Sequence, residues 1–189
     1  MKKQTAITPP TYPVTDTVNH VDDYFGTAIA DPFRWLENDT SAQTAAWVKA
    51  QNAVTESYLA NIPFRNNIQK RYTEIWDYAK YSAPFKKGDN YFFYKNDGLQ
   101  NQAVLYKQAS LDAEPKVFID PNTLSKDGTA ALAGMSFNKN NTLVAYGVSQ
   151  AGSDWKEMKV MDVATGKHLP DVINWTKFAG AAWYKDGFF

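Results

Sequence analysis

Apolar residues recur with a helical period between residues 34 and 77, after an irregular, turn-rich segment at residues 14–33. Two successive stretches carry an apolar residue at every third or fourth position, as one face of an α-helix requires. The two sets are Trp47, Ala50, Val54 and Tyr58, followed by Phe64, Ile68, Tyr72 and Ile75. We therefore predict two helices, each with one buried stripe, that form a helical hairpin.

The ends of these helices also have sequence signals. Asp39, Thr40 and Ser41 can each cap the first helix, because a side-chain oxygen at that position accepts a hydrogen bond from an unpaired amide. Pro63 closes the first helix and is tolerated in the first turn of the second. The sequence leaves the choice among the three caps open.

From Tyr81 onward the pattern changes to short apolar runs separated by Gly, Asn and Asp. Such runs are typical of strands joined by tight turns. The predicted strands are 91–95, 103–107, 116–119, 132–137, 143–148, 156–161 and 179–183. The second half of the chain is therefore predicted to be all β.

A weak repeat underlies this β half. The segments FKKGDNYFFY, FNKNNTLVAY and WYKDGFF align on Lys87, Lys139 and Lys185. Each has an aromatic residue two positions before the lysine, then a turn, then an apolar strand. A period of about fifty residues with roughly four short strands per unit is typical of β-propeller blades. The pattern predicts a partial β-propeller with two blades and the start of a third.

A propeller closes a ring of roughly four to eight blades, so two blades and a hairpin form an incomplete ring. We expect the chain to be the front part of a longer protein. We also expect the chain alone to be poorly soluble or partly unfolded, because its last apolar strand would be an exposed sheet edge.

Composition narrows the classes of function. Twenty Lys and Arg balance twenty Asp and Glu, and no basic block could follow a phosphate backbone, so no nucleic-acid partner is expected. There is no cysteine, hence neither a disulfide nor a thiolate metal site. No apolar run is long enough to span a membrane, and no P-loop, dinucleotide fingerprint or metal-ligand cluster indicates a cofactor.

Residues 1–13 lack the apolar core of a signal peptide. This favours a cytoplasmic location and leaves a periplasmic or secreted one open.

The residues able to do chemistry give only weak signals. Ser149 lies in a string like the G-x-S-x-G nucleophile elbow, but Gly152 comes one place late and another strand is predicted to follow. His20 and His168 are expected to be loop histidines, and Asp22 with Asp23 to be surface or capping residues. No residue of this chain is therefore predicted to be catalytic.

Several strings resemble the prolyl oligopeptidases, also called prolyl endopeptidases. They are VDDYFGTAIADPFRWLEN from residue 21, DYAKYSAPFKKGDNYFFYKNDGLQNQAVLY from residue 77, VFIDPNTLSKDGTAAL from residue 117 and AYGVSQAGSDWKEMKVMDVATGKHLPD from residue 145. Their order and spacing extend the resemblance over residues 12–189.

The resemblance implies a serine endopeptidase that cleaves short peptides after proline and acts as a monomer. In that family a helical extension packs on an α/β-hydrolase domain, and a seven-bladed propeller gates access to the active site. Residues 1–77 would be the leader and helical hairpin, and residues 78–189 the incomplete propeller. The hydrolase domain and its triad would be absent here, so this chain alone is expected to be inactive.

Two residues match substrate contacts of the family. Phe178 in TKFAGAAW matches a phenylalanine of the apolar specificity region, and the less favoured alternative is a blade-core aromatic. Asp154 in GSDW matches an aspartate near the domain interface, or could be a turn residue. Because Ala179 and Gly180 are small, the pocket wall beside Phe178 is expected to differ from that of other members.

Two alternatives stay open. A non-catalytic propeller could serve as a protein-interaction module, because this fold hosts many functions. A related acylaminoacyl or dipeptidyl peptidase shares the propeller and the triad, but the N-terminal strings favour the prolyl endopeptidases.

Overall fold

The computed structural model describes residues 10–185 and 187–189. One compact unit ends at Arg71 and a second begins at Tyr72. The predicted leader, residues 1–13, lies outside the described residues as far as residue 9. Within the described ranges, each helix is too short or too polar to cross a membrane.

The first unit contains a β-hairpin that the sequence did not predict. Strand β1 (Val21–Tyr24) pairs antiparallel with β2 (Thr27–Ala30). Phe25 and Gly26 form the turn with φ values of 55° and 89°, and positive φ at both central residues suits the twist of paired strands. The prediction of irregular structure was wrong here, because β1 carries two aspartates and lacks apolar alternation.

Two helices follow a 3-10 turn at Arg34–Glu37. Helix α1 spans Ala42–Ala60 and helix α2 spans Arg65–Trp76, which confirms the two predicted helices. Of the three candidate caps, Ser41 is the one used, since its Oγ accepts a hydrogen bond from the Thr44 amide at 3.0 Å. Pro63 lies in the link between the helices.

The apolar stripes of these helices are not buried, contrary to the prediction. In α1, Trp47 and Val54 are half-buried, whereas Ala50 and Tyr58 are exposed. All four members of the second stripe are more than half exposed; they are Phe64, Ile68, Tyr72 and Ile75. A stripe becomes buried only where another element packs on it, and the period of the sequence does not supply that element.

The second unit begins with an antiparallel sheet. Its strands are β3 (Lys80–Tyr81), β4 (Phe85–Lys87), β5 (Asn90–Asn96), β6 (Val104–Gln108) and β7 (Lys116–Ile119). Strands β3 and β4 pair with opposite ends of β5, which then pairs with β6, and β6 with β7. The sheet is thus a four-stranded meander whose first strand is broken into two pieces.

A second meander has the order β11-β10-β9-β8. Its strands are β8 (Ala131–Phe137), β9 (Leu143–Ser149), β10 (Lys156–Asp162) and β11 (His168–Thr176). The sequence did not predict β11, which contains Pro170 and several polar residues. Proline is tolerated there because β11 lies at the edge of this sheet, beside β10, in the part of the chain that the structure describes.

A short hairpin forms the last sheet. Strand β12 (Trp183–Tyr184) pairs with β13 (Gly187–Phe188); residue 186 lies outside the described residues. The predicted strand at 179–183 was mostly wrong, because residues 179–181 are not in a strand. Its end does pair: Trp183 starts β12, and Ala182 exchanges two backbone hydrogen bonds with Phe189.

The core lies between these sheets. One buried cluster joins both meanders and includes Phe92, Leu105, Val144 and Tyr146. A second cluster holds Ala145, Met158 and Val160, against which residues of the last hairpin pack. Because alternate residues of a strand point to opposite faces, β9 contributes to both clusters and is buried on both sides.

The aligned repeat therefore corresponds to three equivalent hairpins. Phe85 starts β4, Phe137 ends β8 and Trp183 starts β12, each on the strand before the aligned turn. The Phe92 and Phe137 rings lie 5.2 Å apart, and Trp183 Nε1 donates to the Ser136 carbonyl at 2.9 Å. The predicted fold class, mainly β with N-terminal helices and a partial β-propeller, is confirmed.

Candidate functional site

Both predicted substrate residues lie at one end of the second meander. There the loop 150–155 joins β9 to β10, and residues 177–180 follow β11. The pairing of Lys156 with Thr176 brings the two segments side by side, and Thr176 Oγ1 donates to the Lys156 carbonyl at 2.9 Å. Lys156 Nζ also donates to the carbonyl of Ala179 at 3.2 Å.

Asp154 is held by an ion pair across this end of the sheet. Its Oδ2 lies 3.3 Å from Lys177 Nζ. The Asp154 side chain is 60% exposed and that of Lys177 is 35% exposed, so solvent reaches the carboxylate more than the ammonium. The carboxylate is thus free to accept a further hydrogen bond from a ligand.

Phe178 is presented to solvent. It is 83% exposed, so within this chain it is not the blade-core aromatic that the sequence left open. Its φ is 55°, and a bulky side chain in this left-handed region is uncommon and costs conformational energy. The ring is therefore displayed on a strained backbone, as functional residues often are.

Two tryptophans extend the same surface, and the sequence analysis did not single them out. Trp155 and Trp175 meet edge to face with ring centroids 5.8 Å apart. Trp175 is 78% exposed and also has a positive φ, of 59°. The available signal was their position, since Trp155 directly follows Asp154 and Trp175 lies just before Phe178.

Lys177 connects the charged and aromatic parts of this surface. Its Nζ lies 5.3 Å from the Trp155 ring centroid and 5.2 Å from that of Phe178. A cation near an aromatic face is attracted by the ring quadrupole. We name the five residues Asp154, Trp155, Trp175, Lys177 and Phe178 the aromatic cluster.

The space at Gly180, two residues after Phe178, is open. A Cβ added to Gly180 would meet no atom within 4 Å.

The other residues considered for chemistry, His20, Asp22 and Asp23, make contacts within the fold of the first unit. Asp22 pairs with the guanidinium of Arg34 and with His20 Nε2, the latter at 3.2 Å. Asp23 Oδ1 accepts the Gly26 amide of the β1–β2 turn. His20 and both aspartates thus belong to the hairpin of the first unit.

Ser149 and His168 are likewise part of the second meander. Ser149 ends β9 and pairs with Lys156 of β10, so a strand follows it and not the helix of a nucleophile elbow. His168 Nε2 lies 2.5 Å from the hydroxyl of Tyr146. Burial raises the pKa of Tyr146, and the nearby negative charge of Glu157 raises it further.

The aromatic cluster suits binding better than bond cleavage. It presents three rings, one ammonium and one carboxylate, but no serine or histidine is among its five residues. Within residues 10–185 and 187–189, no group of acidic, histidine or cysteine side chains is arranged to hold a metal. The surface thus offers apolar contact together with both signs of charge.

Comparison with known proteins identifies relatives over nearly the whole chain. Residues 12–189 match the family described as prolyl oligopeptidase, N-terminal β-propeller domain. The prolyl endopeptidase of Elizabethkingia miricola is 50% identical over 179 residues, which cover 94% of this chain and 25% of that protein. The chain thus spans about a quarter of the length of the curated relatives it matches.

Solved structures of proteins from the same family also match this chain. Prolyl oligopeptidase B from Galerina marginata, bound to a 35-residue hydrolysis and macrocyclization substrate, superposes with a TM-score of 0.73 at 29% identity. The match covers 96% of this chain and 29% of that one. One of two prolyl endopeptidases studied for inter-domain dynamics gives a TM-score of 0.72 at 31% identity, covering 87% of this chain and 24% of the other.

Proposed function

Because this chain belongs to the prolyl oligopeptidase family, we propose that it supplies the propeller portion of a serine endopeptidase that cleaves short peptides after proline. The match over residues 12–189 is the observation that carries this proposal. The nucleophile, base and acid of such an enzyme must be assembled together, and in this proposal they come from polypeptide outside this chain.

The aromatic cluster is the proposed contribution of this chain to peptide binding. Phe178 would face the proline ring of the substrate, because an exposed apolar ring gains free energy when it is removed from water. Asp154 would accept a hydrogen bond from the peptide or shape the electrostatic field around it. The open side next to Gly180 would admit the substrate.

The propeller portion has a second role in this proposal, as a filter for substrate size. A ring of blades over an active site would exclude folded proteins by steric hindrance while admitting short peptides. Water exclusion beneath the ring would also strengthen apolar and electrostatic contacts with the substrate.

The helical part would pack on the hydrolase domain. Its support is the exposure of Tyr58, Phe64 and Ile68, which are large apolar side chains spaced as on helical faces. Burying them against another domain would remove apolar surface from water.

A chimera tests the proposed function. Residues 12–189 of this chain would replace the matching quarter of the Elizabethkingia miricola prolyl endopeptidase, and hydrolysis of a short chromogenic peptide would be measured with proline or alanine at the cleaved position. We expect turnover after proline with strong preference over alanine. A folded chimera that binds the proline peptide without cleaving it would favour the interaction module instead.

The variant Phe178→Ala in this chimera tests the binding role. We expect KM for the proline peptide to rise about tenfold with kcat nearly unchanged, because part of the apolar contact is lost. Phe25→Ala is the matched control, since Phe25 is likewise largely exposed and has the same φ of 55°, but lies in the β1–β2 turn. Equal kinetics in the two variants would remove Phe178 from the site.

A further inference from the structure

Lys177 contacts three of the other four residues of the aromatic cluster. Its ammonium contacts the Asp154 carboxylate, at 3.3 Å between Nζ and Oδ2, and lies near the faces of two rings. The rings belong to Trp155, on the loop between β9 and β10, and to Phe178, after β11. One side chain thereby links two segments that are far apart along the chain.

The Phe178 ring requires a contact of this kind to hold one orientation. Most of its surface is in solvent, so apolar packing within this chain fixes its orientation only weakly. Phe178 also has a left-handed backbone, which is an unfavourable conformation for a bulky residue. An adjacent ammonium held by Asp154 would favour one orientation of the ring, since the cation is attracted to the ring face.

We propose that Lys177 is a positioning residue, which orients Phe178 for the peptide and makes peptide binding sensitive to ionic strength. This inference rests on the proposed role of Phe178 in peptide binding. The Asp154–Lys177 pair is partly exposed, so dissolved salt screens it. As the pair weakens, the ammonium leaves the rings and Phe178 loses its preferred orientation.

The geometry of the link can be tested by NMR in the folded chimera, without any activity assay. Protons above an aromatic ring resonate upfield, so the ε-methylene protons of Lys177 should lie upfield of those of Lys167 in a carbon-labelled sample. Lys167 is an exposed lysine in the turn between β10 and β11, at the opposite end of the same sheet. The shift should shrink in Phe178→Leu and again in Trp155→Leu. Coincident Lys177 and Lys167 resonances would overturn the proposal.

The effect on binding is tested in the chimera. In Lys177→Met, which keeps the unbranched aliphatic part of the side chain but removes the charged end, KM for the proline peptide should rise about fivefold with kcat unchanged. Lys177→Arg should restore most of the affinity, because a guanidinium also stacks on rings and pairs with carboxylates. Lys167→Met should behave like the unsubstituted chimera.

Salt separates a positioning role from a general loss of stability. Raising the sodium chloride concentration should raise KM of the unsubstituted chimera and of Lys167→Met, but leave that of Lys177→Met nearly constant. The proposal would be contradicted if KM of Lys177→Met rose with salt as steeply as that of the unsubstituted chimera. A fall in kcat without a change in KM would contradict it as well. A chimera with no proline-peptide turnover would refute the proposed function, while the lysine resonances would still decide whether the link exists.

Discussion

The helical part and the β half of this chain both carry regular apolar patterns, yet their apolar residues differ in burial. In the β half, Phe92 and Val144 are completely buried. In the helical part, Phe64 and Ile68 are each 60% exposed. The regularity of a pattern therefore predicts the type of element in both regions, but it predicts burial in only one.

The two regions differ because the β half contains, within its own repeat, the sheets that cover its apolar residues. Each meander has another sheet of the same chain to pack against. Strand β9 lies between two such surfaces and is buried on both. A helical stripe has no partner built into its own period, so its burial depends on whatever packs on it.

The sharpest test compares the same substitution in the two regions. Phe92→Ala should destabilise the β half by about 3–5 kcal/mol, because it leaves a cavity in the shared core. Amide hydrogen exchange of β5 should then lose roughly a hundredfold or more in protection. Phe64→Ala should change protection of the neighbouring helical amides by about 0.5 kcal/mol or less, as for other exposed positions. Equal losses would show that the helical stripe is buried in solution.

A second test asks how closely the strands of the second meander approach one another. A Cβ on Gly147 would lie 2.4 Å from the carbonyl oxygen of Ala133. Gly147→Ala should therefore destabilise the sheet by about 1–3 kcal/mol through overpacking, measured as faster exchange of the β9 amides. Gly180→Ala meets no atom within 4 Å and should leave the exchange unchanged. A neutral Gly147→Ala would mean that β8 and β9 are spaced more widely.

The smallest effect is expected at the start of α1, where one side-chain cap is removed and the rest of the helix keeps its contacts. Ser41→Ala removes the oxygen that accepts the Thr44 amide and should cost about 1 kcal/mol. Ser57→Ala, an exposed position within the same helix, should be neutral or slightly stabilising because alanine favours helices. Exchange of the first-turn amides of α1 would separate the two. If Ser41→Ala proved as neutral as Ser57→Ala, another residue would cap the helix.

Much of the fold was predictable because the relevant signals are local. Helical spacing predicted α1 and α2, and the aromatic-led repeat predicted three equivalent hairpins. The signals failed where the local pattern was overridden. Strand β1 was not predicted because it contains Asp22 and Asp23, and the edge strand β11 was not predicted because it contains Pro170. Edge positions tolerate residues that central strands exclude.

The candidate site was predictable only in part. The resemblance named Asp154 and Phe178, but nothing in the sequence indicated that they share a neighbour. Trp155, Trp175 and Lys177 join them because the pairing of Lys156 with Thr176 brings the loop after β9 next to the end of β11. Contacts between segments so distant along the chain depend on strand order.

By itself, the sequence determined both helices, the central strands of the two meanders, the repeat and the family, since spacing and residue type are sufficient to specify those. The tertiary structure alone decided which apolar faces are buried and which charged group stands beside the Phe178 ring. The physical reason is that burial and electrostatic contact depend on distances in space, and sheet pairing, not position along the chain, sets those distances.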